Sequence, residues 1–231
     1  MGDFQVEDDL NGNGIIDPGT EWADQKNGTM YPGDIKYLNT NDDKVIDAKD
    51  IVEIGRSIVP EIVYGFNPSL IYKGFDLNLL FQGAANRDFY LTNSAQLPFA
   101  NSSSATTDQM DYWTPDNRNA SHPRITTTPA QNSTAYSSHW VRDGSYLRLK
   151  TVELGYTLPK FILNKLKIQS ARIFLSGQNV ITWTKLKNFD PEMSNTQYSA
   201  GMDAYNYEAS NATGWYYPQQ KVYTIGANIT F

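Results

Sequence analysis

The sequence of 231 residues has no cysteine and no long hydrophobic run. Without cysteine there is neither a disulfide framework nor a thiolate metal site. No apolar stretch approaches the ~20 residues that a membrane-spanning helix requires, so a helical membrane protein is excluded. A transmembrane barrel is compatible with the mean hydropathy of −0.51, because barrel strands alternate apolar with polar residues. A soluble β protein and a membrane β protein therefore both stay open.

Positive charge is also scarce. The sequence has 19 Lys and Arg residues against 25 Asp and Glu residues, which gives a net charge of −6. No basic excess is present to neutralise phosphates, so a nucleic-acid partner is not expected. Electrostatic attachment to anionic lipid is not expected on the same grounds. The first residues, MGDFQVEDD, lack the charged and apolar regions of a signal peptide, which predicts either a cytosolic protein or a piece of a longer one.

Catalytic motifs are missing as well. The two histidines, His122 and His139, stand in no recognisable motif, and neither GxSxG nor HExxH occurs. Asp190 and Glu192 could be considered as the two acids of a glycosidase, but paired carboxylates on polar loops are usually solvated. The sequence therefore predicts that the protein is not an enzyme.

The sequence does contain five segments with the two-residue period of strands. They cover residues 62–72, 75–86, 142–157, 171–183 and 222–231. In the third segment the apolar series steps from Leu149 to Val152, so one inserted residue near Lys150 and Thr151 predicts a β-bulge. The fourth segment loses its alternation after Leu175, which leaves its orientation open.

The connections between these segments alternate between short and long, at residues 73–74, 87–141, 158–170 and 184–221. In an antiparallel up-and-down sheet, this order places both short connections at one end and both long ones at the other, as in transmembrane barrels. The segments are also longer than the globular mode of about 5–6 residues and suit membrane strands of about 9–11. Aromatic residues near the strand ends would suit an interfacial girdle; they are Tyr64, Tyr72, Phe75, Tyr156, Trp183, Tyr223 and Phe231.

Eight sequence features occur in an order that is typical of one protein family. They are PGDIKY (32–37), NTNDDKVID (39–47), YGFNPSLIYKGFDLNLLFQG (64–83), YWTPDNRNA (112–120), SYLRLKTVELGYTLP (145–159), RIFLSGQNVITWTK (172–185), FDPE (189–192) and the terminal Phe231. Together they resemble the SusC/RagA-type TonB-dependent outer-membrane transporters of Bacteroidetes. The resemblance covers most of residues 32–231.

The resemblance implies an all-β fold, an antiparallel up-and-down transmembrane β-barrel segment made of about five C-terminal strands of a 22-stranded barrel. Residues 1–61 are then expected to be an acidic extracellular loop region, and residues 62–231 the C-terminal part of the barrel. The family's plug domain and TonB-contacting segment are not in the sequence, so the chain is expected to be a fragment. Tyr223 and Phe231 would form the signal that the barrel-assembly machinery reads, with the short connections in the periplasm.

The resemblance further implies a role in the cell outer membrane, in contact with its lipid. The family imports oligosaccharides or peptides with TonB and a SusD-like lipoprotein lid, and this chain would supply barrel wall and long extracellular loops. Aromatic loop residues are candidates for contact with substrate or lid; they are Tyr112, Trp113, Tyr136, Trp140, Trp215, Tyr216 and Tyr217. Alternatively they fold the loops upon themselves. The alternative function is a secreted, soluble carbohydrate-binding β-sandwich with calcium-ordered loops.

Two acidic stretches resemble calcium loops. The first offers ligands at Asp9, Asn11, Asn13, Ile15 (carbonyl) and Asp17, but Thr20 stands where the final Glu is expected. The second offers ligands at Asn39, Asn41, Asp43, Val45 (carbonyl), Asp47 and Asp50, but Lys44 replaces the usual glycine. An Asn- and Asp-rich turn held by its own hydrogen bonds is the alternative for both.

Overall fold

A computed structural model describes residues 2–18, 22–26, 28–99, 104–127, 131–192 and 217–231. The chain separates into two compact units. Of the described residues, 2–55 and 90–141 form the loop unit, and 56–89, 142–192 and 217–231 form the sheet unit. The division at residue 61 that the sequence suggested concerns the two sides of a membrane, and it stays a prediction.

The described chain is built mainly of strands, with short helices in the connections. In chain order the strands are β1 (Gly2–Asp3), β2 (Asp24–Gln25), β3 (Ile35–Lys36), β4 (Val45–Ile46), β5 (Ile62–Phe66), β6 (Ser69–Tyr72), β7 (Phe75–Ala85), β8 (Asp88–Tyr90), β9 (Val141–Asp143), β10 (Tyr146–Thr157), β11 (Ser170–Thr184) and β12 (Val222–Thr230). The α-helices are α1 (Gln131–Thr134) and α2 (Lys160–Leu166), and single 3₁₀ turns cover Val6–Asp8, Ala48–Asp50, Asn93–Ala95, Thr107–Met110 and Ser138–Trp140. None of the helices in these described ranges is long and apolar enough to cross a membrane.

The sheet unit is a six-stranded antiparallel sheet with the order β12-β11-β10-β7-β5, in which β6 also pairs with β7. The predicted segments fall mainly on these strands, but residues 142–143 of the third belong to β9, which pairs with β8 outside this sheet. The first segment is divided into β5 and β6 at Pro68, which cannot donate a ladder hydrogen bond. Lys73 and Gly74 both have positive φ, 48° and 87°, as the predicted two-residue hairpin between β6 and β7 requires. The 158–170 connection contains α2, which the sequence pattern does not predict.

The predicted bulge is confirmed on β10. Leu149 pairs with Phe81 and Thr151 with the adjacent Leu80, so Lys150 is the inserted residue. The insertion explains why the apolar period of this strand advances by three residues at that point.

A second irregularity lies on β11 and explains the lost alternation there. Leu149 pairs with Ile181, but Thr151 pairs with Gln178, and Asn179 between them has a φ of 51°. The additional residues restore the strand to its earlier face, so Ile181 lies on the same side as Leu175. The orientation of the fourth predicted strand is thereby settled.

The loop unit is held by a small apolar cluster and two short strand pairs. Phe4, Ile16 and Met30 are at most 2% exposed, and Trp22 packs against them. β1 pairs antiparallel with β3, and β2 pairs in parallel with β4. With so few ladder hydrogen bonds, this unit depends on side-chain contacts for its order.

Candidate functional site

One face of the sheet is apolar and exposed. Leu77, Leu154, Leu175 and Ile225 lie side by side in register on β7, β10, β11 and β12. The last three are 46%, 55% and 78% exposed. A soluble sandwich would bury such a row beneath a second layer. Here the row stays open, so the face has the character of a surface that contacts an apolar medium.

Aromatic rings extend this apolar face. Phe75 and Tyr156 contact each other at the short-connection end, with ring centroids 4.5 Å apart. Trp183, near the opposite end, is 48% exposed. Rings at both ends of an apolar band fit the two interfaces of a bilayer.

The opposite face of the sheet carries buried charges. Arg148 is 2% exposed and donates from Nη2 to Asp190 Oδ1 at 2.7 Å and from Nη1 to Glu192 Oε2 at 3.0 Å. Its Nε donates to Thr182 Oγ1 at 2.8 Å. Lys150 Nζ lies 2.5 Å from Glu192 Oε2. Two cations and two carboxylates thus compensate each other, which is the condition under which buried charges are tolerated. We call Arg148, Lys150, Asp190 and Glu192 the Arg148 cluster.

Asp190 also fixes the backbone of two segments. Its Oδ1 accepts the N–H of Glu192 at 2.9 Å, and its Oδ2 accepts the N–H of Gln219 at 2.7 Å. Burial would raise the pKa of Asp190, but these N–H groups and the Arg148 guanidinium outweigh burial and hold the pKa below its ordinary value. The side chains of Asp190 and Glu192 are only 7% and 11% exposed, so the expectation that they are solvated is wrong.

A second charged group lies on the same face. Arg172 Nε donates to Asp76 Oδ1 at 3.0 Å, and Arg172 Nη2 bonds both Asp76 Oδ2 and Glu153 Oε1, the latter at 2.7 Å. Gly155 makes room for the guanidinium, because a Cβ at that position would lie 2.3 Å from Arg172 Nη2. The sheet therefore has one apolar face and one face of paired charges.

Comparison with known proteins gives the same picture, although no family model matches the chain. TonB-dependent receptor P26 of Formosa agariphila is 29% identical over 237 residues, covering 100% of this chain and 22% of that protein. TonB-dependent receptor P3 of the same organism is 32% identical over 208 residues, covering 88% and 20%. The fold is similar to that of the RagAB peptide importer in the 'open-open' state, with a TM-score of 0.60, 24% identity and coverage of 94% and 22%.

The chain belongs to the TonB-dependent receptors, and its fold is that of the RagAB structures. The structure of the RagAB peptide transporter agrees, with a TM-score of 0.59, 22% identity and coverage of 100% of this chain and 24% of that one. The chain spans about a fifth of the length of the curated relatives it matches. Its cellular location is the outer membrane, and the expected fold is confirmed as a mostly β architecture with an antiparallel main sheet.

Two motifs of this TonB-dependent receptor chain meet in the loop unit. Gly33, in PGDIKY, has a φ of 86°, and a Cβ there would lie 2.4 Å from the Trp113 ring of YWTPDNRNA. The next residue, Asp34, is fully buried and accepts from Arg124 Nε at 2.7 Å. Asn132 Nδ2 donates to the Ile35 carbonyl at 2.6 Å. PGDIKY is therefore the segment around which the receptor's loop unit is organised.

The prediction that Trp113 and Trp140 are exposed contact residues is wrong. They are 6% and 0% exposed, and Trp140 Nε1 donates to the Ser133 carbonyl at 3.0 Å. Both rings stabilise the loop unit because, in a unit with short strands, large side chains supply most of the buried apolar area.

For the other aromatic candidates, contact with substrate or lid stays a prediction. Tyr112, Tyr136 and Tyr217 are 37%, 67% and 84% exposed, and Tyr136 stacks on Tyr90 with centroids 4.6 Å apart. Trp215 and Tyr216 lie outside the described residues. Tyr223 and Phe231, the predicted assembly signal, are 65% and 83% exposed, and that role also stays a prediction.

The first calcium-like loop of the receptor chain is tightly closed. The Asp9 carboxylate accepts the N–H groups of Gly12, Asn13 and Gly14 at 2.9, 3.2 and 2.7 Å. Asp17 Oδ2 lies 3.3 Å from the Asn13 amide and also bonds the Asn11 amide. The Asn11 and Asn13 amides therefore meet at Asp17, whereas the Asp9 carboxylate is held by backbone N–H groups. Thr20 lies outside the described residues.

The second calcium-like loop satisfies its oxygens with its own donors. Asp50 accepts the N–H groups of Thr40 and Asp47 at 2.8 and 2.9 Å, and Lys49 Nζ lies 3.6 Å from Asp43 Oδ2. The remaining predicted ligands, Asn39, Asn41 and Val45, form turns along the same loop. In the part of the chain that is described, no group of three or more His, Asp or Glu side chains is arranged to hold a metal. The hydrogen-bonded turn describes this loop better than the metal site.

Proposed function

We propose that the chain forms part of the barrel wall and the extracellular loops of an outer-membrane importer that is driven through TonB and takes up oligosaccharides or peptides. The observation that carries the proposal is the exposed apolar row from Leu77 to Ile225, which suits contact with lipid. RagAB is a peptide importer of similar fold, and its substrate is not transferred to this chain.

The open edges of the sheet support a place within a larger barrel. β5 and β12 each pair on one side only among the described strands, so they present free N–H and C=O groups. In a bilayer these groups need partners from neighbouring strands. We infer that five strands, β5 together with β6, then β7, β10, β11 and β12, correspond to the predicted last five strands of a 22-stranded barrel. We further infer that Tyr223 and Phe231 are read by the assembly machinery.

The charged face then lines the interior of the barrel. The Arg148 cluster would lie at the long-connection end, where it holds the backbone before β12. The long connections and residues 1–61 would be extracellular and meet substrate and a SusD-like lipoprotein. Contact with TonB would be made through parts of the receptor outside these residues.

Neighbouring cysteines on β12 test the proposal directly. Ile225 lies on the apolar face and Thr224 on the other, and both are exposed. The chain has no cysteine of its own, so Ile225→Cys and Thr224→Cys each give one nitroxide site in this chain of the reconstituted receptor. We expect collision with oxygen to dominate at residue 225 and collision with a water-soluble nickel chelate to dominate at residue 224. Equal behaviour at both sites, or the reverse order, would contradict a lipid-facing sheet.

We further propose that the loop formed by residues 9–17 binds Ca²⁺, supported by the oxygen-bearing residues that the loop carries at the spacing of a calcium loop. Calorimetric titration of the receptor with Ca²⁺ tests this. Asp17→Asn should weaken binding and the matched Asp47→Asn in the second loop should not. Binding that is unchanged by Asp17→Asn would contradict the assignment.

A further inference from the structure

The end of the sheet that holds the short connections is basic, although the chain as a whole is acidic. Backbone hydrogen bonds bring three segments together there, from Thr157 N to the Gly74 carbonyl and from Gln169 N to the Thr230 carbonyl, both at 2.8 Å. We call residues 69–75, 157–171 and 227–231 the short-connection edge. It contains Lys73, Lys160, Lys165 and Lys167 and no Asp or Glu. The side chains of the edge therefore carry four positive charges, whereas those of the whole chain sum to −6.

These four lysines are available to an external anion. All four are exposed, and the ion pairs found among the described residues use other cations. The carboxylates closest along the strands, Asp76 and Glu153, are both engaged by Arg172. No acidic side chain of the described sheet unit thus neutralises the edge.

Exposed apolar side chains stand beside the lysines. In α2, Phe161 and Leu166 are 65% and 58% exposed, while Leu163 is 6% exposed and anchors the helix. Helical geometry places Lys165 between Phe161 and Leu166 on the side opposite Leu163. The edge is continuous with the apolar face, because Phe75 at its margin is 50% exposed. A band of lysines among exposed apolar side chains is the composition of an interfacial surface, where stems lie in the acyl boundary and ammonium groups reach the headgroups.

We propose that the short-connection edge binds the headgroups of anionic phospholipids in the adjacent leaflet. The ammonium groups would contact phosphates, and Phe161 and Leu166 would enter the acyl boundary. The inference rests on the proposed function, since a lipid-facing sheet places its edge at the bilayer surface. An acidic protein would also attract the lysines, but continuity with the apolar face favours lipid. The net charge of the whole chain is negative, and from it no electrostatic attachment to anionic lipid was expected. That expectation does not apply to this edge, because the net charge sums the acidic loops together with the basic edge.

Spin-labelled lipids measure this binding in the reconstituted receptor. Trace nitroxide phosphatidylglycerol or phosphatidylcholine in phosphatidylcholine vesicles gives the motionally restricted fraction of each lipid, and hence their ratio of association with the protein. The test variant carries Lys160→Gln, Lys165→Gln and Lys167→Gln. A matched control carries Lys26→Gln, Lys44→Gln and Lys49→Gln, three exposed lysines of the loop unit. A third variant replaces the edge lysines by arginine and keeps the charge.

Each lysine near an anionic surface is worth about fivefold in local association, and averaging over all lipids around the receptor reduces the measured change to about twofold. We expect the ratio of phosphatidylglycerol to phosphatidylcholine to fall in the glutamine variant and to hold in the control and arginine variants. An unchanged ratio in the glutamine variant, or an equal fall in the control, would overturn the inference while leaving the barrel proposal intact. Absence of any restricted lipid of either kind would instead overturn the proposed function.

Discussion

Removal of the Arg148 side chain is the most severe single change that the sheet unit suggests. Arg148→Leu keeps the apolar stem but leaves the Asp190 carboxylate, 7% exposed, without its cation. Glu192 retains Lys150 at 2.5 Å, so one of the two carboxylates stays compensated. Breaking a buried ion pair costs about 3–5 kcal/mol. Because Lys150 remains, we expect the lower end of this range, about 3 kcal/mol, in the free energy of local opening.

The rate of hydrogen exchange measures this local opening at the two backbone amides that donate to the Asp190 carboxylate. The N–H groups of Glu192 and Gln219 both donate to its carboxylate. A loss of about 3 kcal/mol corresponds to about a hundredfold faster exchange, at about 1.4 kcal/mol for each factor of ten. Mass spectrometry of peptides spanning residues 186–192 and 217–222 of the reconstituted receptor gives both rates.

Two further variants define the outcome. Lys185→Gln removes an ion pair of 3.5 Å to Asp143 at a lysine whose side chain is 86% exposed, and it should leave both amides unchanged, because exposed pairs contribute little. Adding Asp190→Asn to Arg148→Leu removes the uncompensated charge and should recover part of the lost protection. Exchange that stays within about twofold of wild type in Arg148→Leu would refute the view that the Arg148 cluster holds these segments.

Three other predictions follow from positions where space or charge is tightly constrained. Gly33→Ala should lower the free energy of unfolding of the loop unit by about 1–3 kcal/mol more than Gly12→Ala. Both glycines have positive φ, but only a Cβ at residue 33 would meet the Trp113 ring. Tryptophan fluorescence during denaturation measures the difference, and an equal loss of stability in both variants would contradict the prediction. Gly155→Ala should displace the Arg172 guanidinium and lower the urea midpoint of unfolding. When Arg172→Ala is added, the double variant should lose less stability than the two single variants lose in sum. Strictly additive losses would argue against a clash between residue 155 and Arg172. Burial and the neighbouring Asp34 raise the pKa of Asp3 from 3.8 to about 6, so the folded loop unit binds a proton that the unfolded chain releases in this window, and stability rises as pH falls from about 6 towards 3.8. Asp3→Asn should therefore raise the melting temperature at pH 8 and remove the gain between pH 6 and 4, and a parallel pH profile in the variant would refute the shift.

Local chemistry made part of the sheet predictable from sequence. The two-residue hairpin at Lys73-Gly74 and the inserted Lys150 depend on backbone preferences and on the alternation of neighbouring residues, and both are confirmed. Helix α2 was missed because its seven residues are too short to show a sustained helical period. The apolar face was predictable where the alternation is regular, as on β7 and β12.

Contacts between residues distant in sequence account for what was missed. Arg148 meets its carboxylates 42 and 44 residues away, and Trp113 Nε1 donates to Gln5 across 108 residues. No local pattern distinguishes such a carboxylate from a solvated one, or a buried loop tryptophan from an exposed one. A usable signal did exist for Arg172, since it is the one charged residue of β11 and lies on the polar parity of that strand.

The bulge on β10 reconciles the two faces of the sheet. Before it, Arg148 points to the charged face at an even position, and after it Glu153 reaches Arg172 on that face from an odd position. Without the inserted residue, one of these groups would turn towards the exposed apolar row, where a charge in lipid is costly. The irregularity on β11 lies opposite, and there Asn179 Nδ2 donates to the Gln220 carbonyl at 3.0 Å, just before β12 begins. Asp190 holds the adjacent Gln219 from the Arg148 cluster. The register shift on β11 and the Arg148 cluster therefore both fix the backbone where the chain enters β12. This shared role explains why the positive φ of Asn179, which is conformationally costly, is retained within a long strand.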